Sequence, residues 1–329
     1  MNMKIVILER MSVGADVSVD AFNSFGEVKI YEKTSKDEVN ERVKDADIVI
    51  ANKAPLNKET LEGAENLKYI CEFATGFDNV DIAYCKEHNI KVSNVVNYST
   101  DAVAQHTFAL MFYLLERLKH YDEYVKSGEY AAQSGFSYYG RTFTELAGKT
   151  WGIIGMGNIG QKVARIAEAF GCKVITYSVT GKTKSKEEID ALGLNFEYVS
   201  FDELLNKSDF ISLHCPLSDI TRGLINYEAL SKMKKSAILI NVARGPVVVD
   251  ADLARALDEG LILGAGLDVT STEPMKDSNP LSKIMDSEKL FITPHMAWAS
   301  TEARNRCVSE TVLNIEAFIN GKERNSVWA

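Results

Sequence analysis

The sequence predicts an α/β fold of two doubly wound parallel-sheet domains with a cleft between them. Three observations predict it. Short apolar runs alternate with helical patterns along residues 1–96, and strands separated by helices imply a parallel sheet with helices on its faces. The same alternation resumes at Thr150 and continues past residue 290. Where it resumes, Thr150-Trp-Gly-Ile-Ile-Gly-Met-Gly-Asn-Ile-Gly160 reads as a buried strand, a tight turn and the start of a helix. Gly155, Gly157 and Gly160 there have the spacing of a dinucleotide phosphate loop.

In the first half the expected strands are residues 4–8, 28–31, 48–51, 69–71 and 91–93, with helical patterns such as 36–44 and 80–88 between them. No Gly-rich turn follows the first strand, so this half is not the nucleotide site. The stretch from Asn97 to Asp101 opens a helical pattern reaching about Lys126, which Ser99, Thr100 or Asp101 can cap. Its middle is apolar almost all round, which predicts burial between domains or at a subunit interface. Residues 128–141, with Tyr130, Phe136, Tyr138 and Tyr139, read as an irregular aromatic arm.

From Thr150 the expected strands are 151–154, 174–177, 196–199, 210–213, 237–241, 262–267 and 291–293, about six of which form the second sheet. The helix expected after the glycines, residues 161–170, turns its N-terminal N–H groups and dipole toward a pyrophosphate. The last pattern, 301–320, is a long amphipathic helix with no strand after it, so it belongs on the first domain. The expected domains are residues 1–99 plus 299–329, which bind substrate, and residues 100–298, which bind a dinucleotide. Small ligands then belong in the cleft.

Composition narrows the class. A chain of 329 residues can bury two cores, and 46% hydrophobic with 25% charged residues is ordinary for a soluble protein. The net charge of −9 argues against nucleic-acid and anionic-membrane partners. The start runs directly into a strand without a signal-peptide layout. The apolar helix 102–115 carries Gln105, His106 and Thr107 and is too short for a bilayer. Five scattered cysteines without a C-x-x-C pair fit buried thiols in a reducing cytoplasm, and no metal site is expected.

Three polar residues stand just past the carboxyl ends of expected strands: Arg244 in Asn241-Val-Ala-Arg-Gly245, Glu273 in Asp268-Val-Thr-Ser-Thr-Glu-Pro274, and His295 in Thr293-Pro-His-Met-Ala-Trp298. Ligands of open α/β sheets bind at such ends. Taken singly, the residues read as a surface ion-pair arginine, a loop charge and a turn histidine. Together behind a dinucleotide loop they supply what reduction of a 2-oxo acid needs. Arginine offers a planar fork for a carboxylate and cannot lose its charge. Histidine gives a proton near neutral pH, and a nearby carboxylate orients it.

The chain resembles the D-isomer-specific 2-hydroxyacid dehydrogenases over nearly its whole length. The resemblance rests on Gly155-Met-Gly-Asn-Ile-Gly160, His214-Cys-Pro-Leu217 with Thr221, Asn241-Val-Ala-Arg-Gly-Pro-Val-Val-Val-Asp250, Gly266-Leu-Asp-Val269 with Glu273-Pro274, and Thr293-Pro-His295. It implies a flavodoxin-like substrate domain and a Rossmann cofactor domain. It also implies that Arg244 binds the substrate's carboxylate and carbonyl, His295 is the acid/base and Glu273 its partner. Backbone at Ala74, Thr75 and Gly76 would close on the carboxylate, with Trp298 beside the substrate. Gly155, Gly157, Asn158 and Ile159 would meet the pyrophosphate, and Cys215, Pro216 and Thr221 the adenosine side. Thr107, Val242, Ala243, Asp268 and His295 would lie by the nicotinamide half. A narrower resemblance, to the glycerate dehydrogenase/hydroxypyruvate reductase branch, rests on Val103-Ala-Gln-His-Thr107, Phe136-Ser-Tyr138, Thr221-Arg-Gly-Leu-Ile-Asn226 and His295-Met-Ala-Trp-Ala-Ser300. It implies hydroxypyruvate or glyoxylate as substrate. The apolar stretch 108–115 and the aromatic arm after it predict a homodimer, and the family's dimers pair through this region of the cofactor domain.

One position departs from the pattern of NAD-preferring members, which carry an acid after the second strand of the dinucleotide fold to accept from the ribose. Here Ser178 stands there, followed by Thr180, Lys182 and Lys184. These residues could hold a 2′-phosphate, so NADP or dual use is slightly favoured over NAD. The competing reading from another class is a non-catalytic, dinucleotide-sensing partner protein, which need not keep Arg244, Glu273 and His295 together. Phosphonate or formate oxidation is a third, and formate enzymes of the superfamily have Gln where Glu273 stands.

Overall fold

Twelve strands form two all-parallel sheets in the computed structural model, which describes residues 3–328. By its internal contacts the chain divides into two units, one comprising Met1–Ser99 and Trp298–Ala329, the other Thr100–Ala297.

The first unit holds β1 (Met3–Ile7), β2 (Gly26–Ile30), β3 (Ile48–Ala51), β4 (Tyr69–Glu72) and β5 (Lys91–Ser93), in the order β2-β1-β3-β4-β5. β3 and β4 are buried along their whole length; β3 reads as an unbroken apolar run, while β4 ends on the buried acid Glu72. Val39, Val43, Leu56, Leu61, Ile70, Cys85 and Val92 close one face. The helix Thr301–Ile319 returns to this unit and packs on β4.

The second unit holds β6 (Thr150–Ile154), β7 (Lys173–Tyr177), β8 (Phe196–Tyr198), β9 (Phe210–Leu213), β10 (Ile238–Asn241), β11 (Gly264–Leu267) and β12 (Leu290–Ile292). Their order is β12-β11-β10-β9-β6-β7-β8. The sheet therefore has seven strands, not about six, because the short β12 pairs in register beside β11. Strand residues alternate between its two faces. Ile154, Ile211, Leu213 and Leu239 join one core, and Trp151, Ile153, Phe210, Ile238 and Ile240 join the other.

One expectation for residues 100–126 is corrected. The helical pattern is two helices, Thr100–Leu115 and Leu118–Lys126, broken where Arg117 takes a left-handed conformation at φ 54°. That turn lets Arg117 Nη1 donate to the carbonyl of Glu288 at 2.8 Å. The first helix is buried, as its apolar pattern predicts. It lies in the second unit's own core, with Phe108 tilted on Trp151 at 4.6 Å between ring centres. Gly266 of β11 makes room for it, since a Cβ there would stand 2.9 Å from Leu110 Cβ. A run of exposed apolar side chains lies farther on, at Leu118, Val125, Tyr130, Phe136 (89% exposed), Tyr139 (83%) and Phe143.

Candidate active site

In the second sheet the strand order reverses between β6 and β9, the switch point where doubly wound sheets open a ligand crevice. Gly155 follows β6 at φ 101°, and a Cβ on it would meet the backbone of His214 and Cys215, just past β9, at 2.6 Å. Gly160 would strike the carbonyl of Gly155 at 2.2 Å. These two glycines are therefore required by the protein's own packing. Gly157 differs: it caps the helix Asn158–Ala169, and nothing lies within 4 Å of where its Cβ would be. Open space at a helix N-terminus is what a pyrophosphate needs. Beside it a cavity of about 300 Å³ is lined by residues that include Gly155, Tyr177, Ser178, Thr180, Lys182, Lys184 and Glu188. The residues present thus fit a dinucleotide.

Within that cavity the Ser178 hydroxyl donates to the carbonyl of Lys182 at 2.5 Å and closes the loop 178–182. Glu188 brings an acid to the same cavity, its carboxylate accepting from the N–H of Ser185 at 2.7 Å. Sequence order hid it, because Glu188 belongs to the helix Lys186–Ala191 and not to the strand end. Thr107 and Thr221 use their hydroxyls on backbone, on Val103 O at 2.8 Å and Pro216 O at 2.7 Å, and both are fully buried. Burial pushes the Cys215 thiol up to about 11, so it stays neutral. His214 is pushed down to about 3 by burial, so its ring is neutral too.

At the carboxyl end of the same sheet, Arg244, Glu273 and His295 follow β10, β11 and β12. Asn241, the last residue of β10, accepts from Ala243 N at 3.0 Å and donates to Arg244 O at 3.0 Å, which turns the chain sharply at Val242 and Ala243. Arg244 Nη1 donates to Ala243 O at 2.8 Å. Gly245 permits close approach of the next loop, since a Cβ there would lie 1.8 Å from Thr270 O. Buried Asp250 then holds that loop from below, accepting from Ser271 Oγ and from Asn279 Nδ2.

His295 Nδ1 lies 2.7 Å from Glu273 Oε2, and Glu273 Oε1 accepts from Thr270 N at 3.2 Å. The histidine backbone has φ 54°, a region few residues other than glycine occupy. Asp268 holds it there. Its carbonyl accepts from His295 N at 2.8 Å, and its carboxylate takes Thr293 Oγ1 (2.6 Å), Met296 N (2.9 Å) and Ala297 N (2.8 Å). His106 Nε2 lies 2.9 Å from the same threonine hydroxyl and 3.6 Å from Asp268. Burial lowers the His106 pKa more than Asp268 raises it, so His106 serves as a neutral donor. This brace was not legible as such in the sequence, where Asp268 reads only as a residue near the nicotinamide.

In the first unit the segment 74–76 is pinned to 94–95. Val95 N donates to Ala74 O (2.8 Å), Thr75 Oγ1 to Val95 O (2.8 Å) and Asn94 Nδ2 to Thr75 O (2.7 Å). Trp298 meets Tyr98 edge-on at 6.2 Å. No helix among the described residues is long and apolar enough to cross a membrane, and no cluster of metal-ligating side chains occurs among them.

Comparison with known proteins agrees with this geometry. Residues 108–297 match the family described as D-isomer specific 2-hydroxyacid dehydrogenase, NAD binding domain. The chain belongs to the D-isomer-specific 2-hydroxyacid dehydrogenases. It is 41% identical to a glycerate dehydrogenase of Methylorubrum extorquens over 100% of both chains. It is 38% identical to a hydroxypyruvate reductase of Blautia hydrogenotrophica over 99% of both. Among solved structures, a D-lactate dehydrogenase of Aquifex aeolicus complexed with NAD and lactic acid superposes with a TM-score of 0.85 at 32% identity, covering 99% of both chains. As a member of these dehydrogenases, the protein is an oxidoreductase of 2-hydroxy and 2-oxo acids, and it carries their NAD-binding domain.

Proposed function

We propose that the protein reduces a small 2-oxo acid to the D-2-hydroxy acid, with hydroxypyruvate and glyoxylate as first candidates, and runs the reverse oxidation. The observation that carries this reading is the 2.7 Å pair of His295 Nδ1 and Glu273, fixed on a strained turn at the sheet's carboxyl end. With Nδ1 committed to the carboxylate, proton exchange with the substrate falls to Nε2. Arg244 holds the substrate's carboxylate and polarises its carbonyl, with Trp298 beside the substrate, and backbone N–H groups at Ala74, Thr75 and Gly76 also serve that carboxylate. A bound nicotinamide dinucleotide supplies the hydride. Gly155, Gly157, Asn158 and Ile159 take its pyrophosphate, and Cys215, Pro216 and Thr221 line its adenosine. Thr107, Val242, Ala243, Asp268 and His295 lie on its nicotinamide side. A non-catalytic sensing protein has no use for a buttressed His–Glu pair. Steady-state rates with a panel of 2-oxo acids, NADH and NADPH test the reading; no turnover with any of them would overturn it.

We infer dual cofactor use. Thr180, Lys182 and Lys184 favour a 2′-phosphate, while Glu188 in the same cavity opposes it. The NADPH preference should be modest, on the order of tenfold or about 1.4 kcal/mol, and should shrink with salt because Lys182 is exposed and Lys184 only half-buried. Ser178→Asp should move the preference toward NADH by adding repulsion and an acceptor for the ribose. A wild type that prefers NADH by about a hundredfold would sink this inference.

The protein is proposed to act as a homodimer in the cytoplasm, a reducing compartment that suits five buried thiols. The helix Leu118–Lys126 buries no residue, and the aromatic arm that follows leaves Phe136 and Tyr139 in solvent, more apolar surface than a monomer keeps. Light scattering should return twice the 36.5 kDa chain mass. A monomer at micromolar concentration would count decisively against it.

A further inference from the structure

The first sheet also has a switch point, between β1 and β3, where an open α/β sheet presents a ligand crevice. Here that place is filled from within. Glu9, two residues past β1, turns Oε2 onto the N–H groups of Asn52, Lys53 and Ala54, just past β3, at 2.8, 2.8 and 3.0 Å. Three backbone donors thus converge on one carboxylate oxygen.

A second acid faces it. Glu72 ends β4 with 0% of its surface exposed. Its Oε1 accepts from Asn79 Nδ2 at 3.2 Å, and its buried Oε2 has no partner. An ionised carboxylate with an orphaned oxygen would be costly here, so the group keeps its proton. Burial is the main cause and the charge of Glu9 adds to it, while Asn79 and Lys53 act the other way; the balance lifts Glu72 to about 8. Lys53 is exposed, so its charge is screened. The buried thiols of Cys71, on β4 itself, and Cys307, on the helix Thr301–Ile319, also lie close enough to feel the charge of Glu72.

The place of Glu72 in the chain matters. It directly precedes residues 73–76. Phe73 N donates to Ala51 O at 2.7 Å, and Asn52 Nδ2 reaches Phe73 O at 3.4 Å. Asn79 Nδ2 is shared between Glu72 and Ala54 O at 3.0 Å. The same few atoms therefore join the Glu9 turn, the buried acid and both ends of the 73–79 segment. A charge on Glu72 would set two carboxylates against each other in a medium of low dielectric. The available relief is movement of that segment or entry of water.

We propose that Glu72 is a positioning residue whose neutral carboxyl keeps the 73–76 segment in place to receive the substrate's carboxylate, and that loss of its proton releases the segment. The proposal rests on the reading above that Ala74, Thr75 and Gly76 bind substrate. Wild type and Glu72→Gln are compared across about pH 6 to 9.5 by KM and kcat for the preferred 2-oxo acid and by amide exchange of residues 73–76. Above about pH 8 the wild-type KM should rise on the order of tenfold more than that of Glu72→Gln, while kcat follows one profile in both. Protection of 73–76 should fall in that range in wild type only. A purely structural role would leave the KM ratio of the two proteins constant with pH. That result, together with equal protection, overturns the proposal. Loss of protection without a change in KM instead overturns the substrate role of 74–76.

Stability supplies a second readout with a definite sign. The folded chain keeps a proton that the unfolded chain loses between about pH 4.5 and 8, so Glu72 lowers stability progressively across that window. Glu72→Gln should therefore melt higher than wild type at pH 8, with a smaller gap at pH 5. Infrared spectroscopy of the wild type keeps the proposal testable even if the variant fails to fold. A carboxylic-acid C=O band should persist at neutral pH and vanish as the pH passes about 8, and its absence at neutral pH overturns the proposal.

Discussion

Replacing His295 with alanine should cut turnover by about a hundredfold or more, about 2.7 kcal/mol at the barrier, and leave cofactor affinity nearly intact. The expectation follows from how much structure is spent on one ring. Holding a non-glycine residue at positive φ costs about 1–3 kcal/mol, and His295 is held there by backbone and carboxylate bonds from Asp268. The ring that this turn presents then meets Glu273 at 2.7 Å. Alanine removes the acid but also suits the turn poorly, so a loss of activity could mix chemistry with a shifted loop. His295→Asn separates the two, because asparagine is enriched in the left-handed region and keeps the turn. Both variants should lose turnover alike, measured as kcat at saturating 2-oxo acid across neutral pH, with cofactor binding followed by fluorescence. Wild-type turnover in either one would remove His295 from the chemistry.

What the sequence made legible follows from what kind of interaction fixed each feature. Strand ends carrying Arg244, Glu273 and His295 could be read because buried parallel strands are continuous apolar runs, and ligands gather where such runs stop. The helix at 100–115 reads as buried because it is apolar all round, but its partner surface depends on Gly264 and Gly266 of a strand 150 residues on. The break at Arg117 was illegible for a similar reason. Nothing local ends the helical pattern there, and the contact that rewards the turn is with Glu288, 171 residues away. Asp268, Asp250 and Glu188 were misjudged or passed over because an acid in a loop looks alike in sequence whether it meets ligand, solvent or backbone N–H groups. Glu72 falls one residue past the expected strand 69–71, where nothing in the sequence singles it out. Only its full burial beside Glu9 marks it as an acid that keeps its proton.

Arg244→Lys should lower kcat/KM for the 2-oxo acid by about two to three orders of magnitude while moving the melting temperature little. Lysine keeps the charge but replaces a planar fork with a point charge on a flexible stem. The proposed role asks the guanidinium to serve a carboxylate and the adjacent carbonyl at once, and a charged hydrogen bond is worth about 1.5–3 kcal/mol. Losing the geometry of two such bonds accounts for about 3–4 kcal/mol, hence the size of the loss. The turn that carries Arg244 is made by Asn241 and by Gly245 against Thr270, and lysine leaves both in place. Arg244→Ala adds a sharper test, since the cavity left by the truncated side chain faces the same carboxylate. Guanidinium ion in the assay should restore part of its activity, and an equal concentration of ammonium should restore less. Equal activity of wild type and Arg244→Lys would show that charge alone suffices. A melting temperature lowered by many degrees would show that Arg244 serves the fold, and the carboxylate would then need another anchor.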